Sequence, residues 1–255
     1  MTIDSHPETA TVSALSVPAR PGPFPLDVQC CAIVVVDMQN DFGSSGGAFD
    51  RVGIDISMIR RAVAQTARVL AVARRSGVPI FYLKMAFKPD LSDAGPADSK
   101  NRMLHQRLSV GTQTRAPNGD QSAIFIRDSW NTDILSELAP EPEDTVVYKH
   151  RFSGFFETEL DALLRHKGIR QLIVTGCTTS ICVESTIRDA MFRDYACVLL
   201  EDCSAEPIGN AFPRTNHDAS LLTIETSLGW VSSSDSLLNA FASRDRRSQQ
   251  ASGRP

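Results

Sequence analysis

Three apolar runs in this chain each lead into a residue that can take part in proton transfer or nucleophilic attack. CAIVVV, from Cys31 to Val36, stops at Asp37; TVVY, from Thr145 to Tyr148, stops at Lys149; LIVT, from Leu172 to Thr175, passes through Gly176 and CTTSI into Cys182. A carboxylate, an ammonium and a thiol are a set that can generate and hold a thiolate, the nucleophilic form of cysteine. Taken singly, each has an ordinary reading. Asp37 could cap a turn, Lys149 could be a lysine with a solvated tip, and Cys182 could be a small hydrophobe on a helix face with Val183 and Ile187. Their coincidence at three strand ends favours chemistry. Cys182 also falls where a glycine-led turn meets a helix start, so the helix N-terminus and a nearby Lys⁺ are both expected to favour thiolate.

Other chemistries find less support. The five histidines, His6, His105, His150, His166 and His217, show no ligand spacing such as HxxxH, and none pairs with Cys182 by position. Neither a metal site nor a Cys-His dyad is expected. Gly176-Cys-Thr-Thr-Ser-Ile lacks the later glycines of GxGxxG, so a nicotinamide cofactor is not expected either, and no other cofactor is called for.

The elements that would position these residues follow from periodicity. The run 31–36 is apolar without alternation, as in a strand buried on both faces. Ile59, Val63, Leu70 and Ala73 recur at helical spacing in a segment closed by Gly77 and Pro79, and Ile80 to Leu83 reads as the next strand. Thr145 to Tyr148 is a further strand, followed by a helix carrying Leu160, Leu163 and Leu164 that stops at Gly168. Leu172 to Thr175, a helix from about Ser180 to Phe192, and Cys197 to Leu200 complete the alternation. Such alternation predicts an α/β fold, a parallel sheet with helices on both faces, whose ligands sit beyond the carboxyl ends of the strands. The aperiodic stretch 85–130, rich in Gly, Pro, Asp and Ser, reads as a substrate-covering excursion rather than a floppy insert.

At 255 residues and 42% hydrophobic composition the chain suits one α/β domain, taken as residues 26–242. Residues 1–25 read as a flexible arm, and 243–255 as a polar tail. Lys+Arg 26 against Asp+Glu 30 gives a net charge of −4 with no basic run, so nucleic acid is not an expected partner. No secretion-type start and no apolar run near the ~20 residues of a membrane span are present, which predicts a soluble cytoplasmic protein. Six cysteines without CxxC pairing read as reduced thiols.

Read together, VVVDMQNDF, the long stretch from KHRFSGFF to LLEDC, and TIETSLGWVS resemble the isochorismatase-like hydrolases over about residues 31–232. Among these the likeness is greatest to the ureidoacrylate amidohydrolases, with biuret hydrolases and N-carbamoylsarcosine amidohydrolases as near relatives. The resemblance implies a single-domain, Rossmann-like three-layer α/β/α fold on a six-stranded parallel sheet, and a catalytic triad of Asp37, Lys149 and Cys182. It also implies a non-proline cis peptide between Cys177 and Thr178, with the backbone N–H groups of Thr178 and Cys182 forming an oxyanion hole. The implied activity is hydrolysis of a C–N bond in a small ureido, carbamoyl or amide substrate through a thioester-type intermediate, by a homo-oligomer, dimer or tetramer. Phe42 and Phe152 are the pocket candidates. Met85 stands where the ureidoacrylate enzymes have an asparagine, and Phe87 near a tryptophan position, which points to a more apolar pocket and to biuret, N-carbamoyl or other amide and carbamate substrates as the alternative. The metal-holding histidines of nicotinamidases have no counterpart in LKMAFKPDLSD. Vinyl-ether hydrolysis, which needs no cysteine nucleophile, and a non-catalytic binding protein are the readings from other classes.

Overall fold

The structure, a computed structural model, describes residues 14–211 and 213–252. It opens with a hairpin of β1 (Leu15–Val17) and β2 (Phe24–Leu26), followed by β3 (Cys31–Val36). Two short helices, α1 (Asn40–Gly43) and α2 (Ala48–Arg51), precede the long α3 (Ser57–Arg75) and β4 (Ile80–Met85). Helix α4 (Lys100–Arg107) and a hairpin of β5 (Gln113–Arg115) and β6 (Gln121–Ala123) occupy the stretch before β7 (Thr145–Lys149). Then come α5 (Leu160–His166), β8 (Gln171–Cys177), α6 (Glu184–Met191), β9 (Ala196–Ala205), α7 (Asn216–Thr223), β10 (Trp230–Ser232) and α8 (Ser234–Ser252).

Six strands form one parallel sheet in the order β10-β9-β8-β3-β4-β7. From β3 the chain builds outward through β4 and β7 on one side, then returns to lay β8, β9 and β10 on the other. The strand order therefore reverses between β3 and β8, where an open α/β sheet leaves a crevice beyond the carboxyl ends. The alternation within β3 divides the core. Ile33 and Val35 pack with Ile59, Val63 and Leu70 of α3 on one face, and Ala32, Val34 and Val36 pack with Leu160 and Leu164 of α5 and Ile187 of α6 on the other. Burial on both faces is why the strand reads as a continuous apolar run.

Strands and helices fall where the sequence places them, with longer ends: β4, β8 and β9 extend past the expected 80–83, 172–175 and 197–200. The sixth strand, β10, is three residues long and carries no run of its own. The helix expected from Ser180 starts instead as a π-helical turn, Thr179–Val183, before α6.

The expected flexible arm is corrected by the structure from residue 14 onward; residues 1–13 lie outside the described residues. Leu15, Val17, Phe24 and Leu26 are buried. The backbone of Arg20 exchanges two hydrogen bonds with Val231 (2.8 and 3.0 Å), covering part of β10, and its guanidinium pairs with Glu201 and Glu225. Strands of three residues, joined by a proline-rich turn, give too short a period to detect in sequence. At the other end, α8 continues helically to Ser252, into the tail expected from residue 243, and residues 253–255 lie outside the described residues.

Candidate active site

Asp37, Lys149 and Cys182 meet at the reversal point. Asp37 follows β3 with φ of +53°, a left-handed conformation uncommon for a residue with a side chain and one that turns the carboxylate over the strand end. Lys149 is the last residue of β7, and its Nζ lies 2.7 Å from Asp37 Oδ2. Cys182 rides the π-helical turn after β8. That turn begins beside β3 because Gly176, at φ +120°, has no side chain: a Cβ there would sit 2.0 Å from the Val36 carbonyl oxygen. The Cys177–Thr178 peptide is cis, as the resemblance implies.

Asp37 and Lys149 are completely buried and Cys182 is 5% exposed, which governs their ionisation. Burial pushes the Asp37 carboxyl above the ordinary range, although Lys149 opposes it. Burial alone would lower Lys149, but the charge of Asp37 and the neighbouring Cys182 more than offset this and its ammonium is held. Burial raises the Cys182 thiol far above its usual range, with Lys149 opposing and Asp37 reinforcing. Here the expectation from sequence is corrected: helix N-terminus and lysine do not give a resting thiolate, because desolvation of a buried sulfur outweighs both. The stable assignment is Asp⁻, Lys⁺ and neutral thiol. Moving the proton from Cys182 to Asp37 gives neutral acid, Lys⁺ and thiolate, and the net charge of the buried site stays at zero, so no further uncompensated charge is created.

Asp37 Oδ1 accepts from Met85 N at 3.1 Å. Among the described residues Oδ2 has no hydrogen-bond partner beyond the lysine ion pair, which leaves it open towards the thiol. Lys149 Nζ also donates to the Arg151 carbonyl at 3.1 Å and sits 3.7 Å from Met85 Sδ.

The residues after Asp37 carry no role in the sequence reading, and they fasten the covering excursion to this rim. Gln39 donates to the Met85 and Thr132 carbonyls and accepts from Met85 N at 2.8 Å. Asn40 donates to the Trp130 carbonyl at 2.7 Å. Buried Asp41 accepts from Ala48 N, from Phe125 N at 2.6 Å and from Asn131 Nδ2 at 2.5 Å. The polar run QND directly after a buried strand is the signal that could have found them. Glu206, just past β9, has no such signal. It is fully buried, and its Oε2 accepts from both the backbone N and the hydroxyl of Ser180, bracing the turn that carries Cys182.

The four expected pocket residues are brought into one neighbourhood, through partners the sequence does not indicate. Phe42 packs edge-on against Phe125 (5.3 Å between centroids), Phe87 edge-on against His105 (4.8 Å), and Phe152 lies 6.3 Å from His105. Met85, Phe42 and Phe87 are buried, while Phe152 is partly exposed. The excursion is folded and closes over its own chain's rim, with α4 supplying His105 and the segment after β6 supplying Phe125. Among the described residues no group of three or more His, Cys, Asp or Glu side chains is placed to hold a metal ion, and no helix is long and apolar enough to cross a membrane.

Comparison with known proteins bears on this arrangement. The family model of the isochorismatase domain matches residues 31–236. The chain is 38% identical over 216 residues to a ureidoacrylate amidohydrolase of Methylobacterium radiotolerans, covering 85% of this chain and 81% of that one. It is 39% identical over 227 residues to a ureidoacrylate amidohydrolase of Variovorax paradoxus, covering 89% and 87%. Among solved structures it is similar to a cysteine hydrolase from Pseudomonas syringae pv. phaseolicola (TM-score 0.72, 27% identity, 91% of this chain and 99% of that one). It is also similar to an N-carbamoylsarcosine amidase from Thermoplasma acidophilum (TM-score 0.59, 26% identity, 81% and 97%).

Proposed function

Because this chain belongs to the isochorismatase family and is an amidohydrolase acting on C–N bonds, we propose that it cleaves a small ureido, carbamoyl or amide substrate, ureidoacrylate-like, with Cys182 as nucleophile. The observation that carries this reading is the Lys149–Asp37 pair at 2.7 Å, fully buried beside the Cys182 thiol. A buried ion pair adjoining a thiol serves stability poorly, since its desolvation offsets most of its attraction, but it serves proton transfer well.

In this mechanism Asp37 Oδ2 takes the thiol proton as Sγ attacks the carbonyl carbon. The carbonyl π electrons move to oxygen, and the backbone N–H groups of Thr178 and Cys182 receive the oxyanion. Collapse breaks the C–N bond, and the leaving amine carries away the proton held by Asp37. A carbamoyl or acyl thioester remains on Cys182. Water, deprotonated by Asp37, adds to that carbon, a second collapse breaks the C–S bond, and the departing sulfur recovers the proton. From a ureido substrate the products are an amine and carbamate, which decomposes to ammonia and carbon dioxide. Lys149 stays protonated throughout and holds Asp37 in position. Phe42, Met85, Phe87 and Phe152 line the substrate space in this reading, and their apolar character keeps biuret, N-carbamoyl and other amide or carbamate substrates in view.

Cys182→Ala should abolish ammonia release from ureidoacrylate, biuret and simple primary amides while leaving the melting temperature within a few degrees. Substrate-dependent mass adducts confined to the Cys182 peptide should appear on acid quench of the wild type. Turnover retained by the alanine variant would overturn the assignment. The same reading takes the enzyme as a cytoplasmic homo-oligomer, dimer or tetramer, and sedimentation at micromolar concentration tests its assembly.

A further inference from the structure

His105 has no part in the mechanism above, yet α4 carries it into the ring cluster beside the site. It is 3% exposed, and its Nδ1 lies 2.8 Å from the Asn101 carbonyl oxygen. A carbonyl only accepts, so the proton is on Nδ1. Burial, with the nearby charges of Lys149 and Arg151, pushes the imidazole down to about 4, and the ring is neutral at physiological pH. A neutral ring protonated at Nδ1 presents a bare lone pair at Nε2, and among the described residues only Nδ1 of this ring has a hydrogen-bond partner.

The surroundings limit what can meet that lone pair. Phe87 and Phe125 stand edge-on to the ring at 4.8 and 5.5 Å, and Phe152 is tilted at 6.3 Å. Phe87 follows β4 two residues after Met85, which touches Lys149, and Phe152 follows Lys149 by three. The ring thus stands near the Asp37–Lys149 pair, close enough to feel the charge of Lys149. Arg151 is already engaged: its Nη1 donates to the Asp93 and His150 carbonyls at 2.9 and 2.7 Å, and its guanidinium lies 5.6 Å above the Phe156 ring.

Resting on the amidohydrolase reading, we propose that His105 determines specificity by accepting, through Nε2, a hydrogen bond from an N–H of the substrate outside the scissile bond. The group held there is a neutral amide or ureide. A carboxylate at that point would set its oxygens against the imidazole lone pair, two acceptors with no proton between them. Adding a proton to the ring would relieve this, but Lys149 and Arg151 oppose a further cation there.

A matched pair of compounds tests this: ureidoacrylate and ureidoacrylamide share the ureido group and differ only in carrying a carboxylate or a carboxamide at the far end. The wild type should favour the carboxamide by about tenfold or more in kcat/KM, mostly through KM, the effect of one well-made hydrogen bond. His105→Phe should remove about that factor for the carboxamide, with kcat nearly unchanged, and barely alter the carboxylate. If His105→Phe does not fold, ¹⁵N-histidine spectra of the Cys182→Ser protein provide the second readout: an unprotonated Nε2 should shift upfield when ureidoacrylamide is added. A wild type that prefers ureidoacrylate, an unchanged ratio in His105→Phe, or an Nε2 that does not respond would each overturn the proposal. Hydrolysis of neither compound by a protein that still releases ammonia from another amide through Cys182 also overturns it. Failure of the amidohydrolase reading would show differently, as turnover surviving Cys182→Ala.

Discussion

The strand-end rim and the excursion that covers it are built on opposite principles. The rim places its reactive side chains where backbone geometry delivers them: Asp37, Lys149 and Cys182 each stand at or just past the end of a parallel strand, and few contacts beyond the sheet are needed to bring them together. The excursion between β4 and β7 has little regular structure, and it is held by the side chains of Gln39, Asn40 and Asp41, which reach its Thr132 and Trp130 carbonyls, the Phe125 N–H and the Asn131 amide. The rim carries a buried charge pair that adds little net stability, whereas the excursion's polar contacts are its attachment. Substitutions in the rim should therefore destroy chemistry, and substitutions in the attachment should loosen the cover while the chemistry survives.

The largest effect is expected at the rim. Asp37→Asn keeps the side-chain shape but removes the proton acceptor, and kcat should fall about 1000-fold or more, within the range for loss of a general base. It also leaves Lys149 as an uncompensated buried cation, destabilising by about 3 to 5 kcal/mol. In Asp37→Asn/Lys149→Met both charges are gone, so most of that stability should return while activity stays lost. Urea denaturation of the two single variants and the double, beside their kcat values, checks this. A double variant no more stable than the weaker single one would mean that the pair itself holds the fold, and the contrast between the two regions would fail.

Next comes the attachment, where pH separates charge from shape. Burial raises Asp41 from 3.8 to about 7, against the lowering pull of its donors Asn131, Phe125 and Ala48. Its folded pKa lies above the unfolded one, so the stability it contributes is fully present below about 4 and is lost as pH rises through 7. Asp41→Asn does not titrate. The stability of the wild type relative to this variant should therefore fall between pH 4 and 7 by up to about 4 kcal/mol, since each tenfold change in proton affinity is worth about 1.4 kcal/mol. Hydrogen exchange should quicken in the 122–131 segment of Asp41→Asn at pH 5, where the wild type still holds a neutral acid at that position, and kcat should change little. A gap that stays constant or widens with pH would show Asp41 ionised throughout.

The same contrast explains what can be read from sequence. Asp37, Lys149 and Cys182 are legible because a buried parallel strand is a continuous apolar run and its end is marked by the first polar residue or glycine. Strand ends alone do not report solvent exposure, and the ionisation of Cys182 is hidden for that reason: a helix start looks electropositive in sequence, while the desolvation that dominates depends on what closes over it. His105 lies on a helix of low apolar content whose partners, Phe87, Phe125 and Phe152, come from three other segments. Only long-range packing makes it part of the site. Glu206 is opaque for the same reason, since the donors that hold its Oε2 belong to Ser180, on a distant turn. The hairpin from Leu15 to Leu26 is hidden differently, by strands too short to show a period.

The smallest effect is expected where the two regions touch through apolar surface alone. Phe42, on α1 of the rim, packs edge-on against Phe125 of the excursion at 5.3 Å and against Phe49 of α2 at 5.0 Å. Phe42→Leu keeps most of the volume and loses two aromatic contacts, which should lower stability by about 1 to 2 kcal/mol. Its kinetic signature decides whether Phe42 also lines the substrate space. If the ring only joins rim to cover, KM for ureidoacrylamide should rise less than about threefold with kcat unchanged. A rise of tenfold or more at unchanged hydrogen exchange in the 122–131 segment would place substrate against Phe42 itself, and the seam between the two regions would then be part of the binding surface.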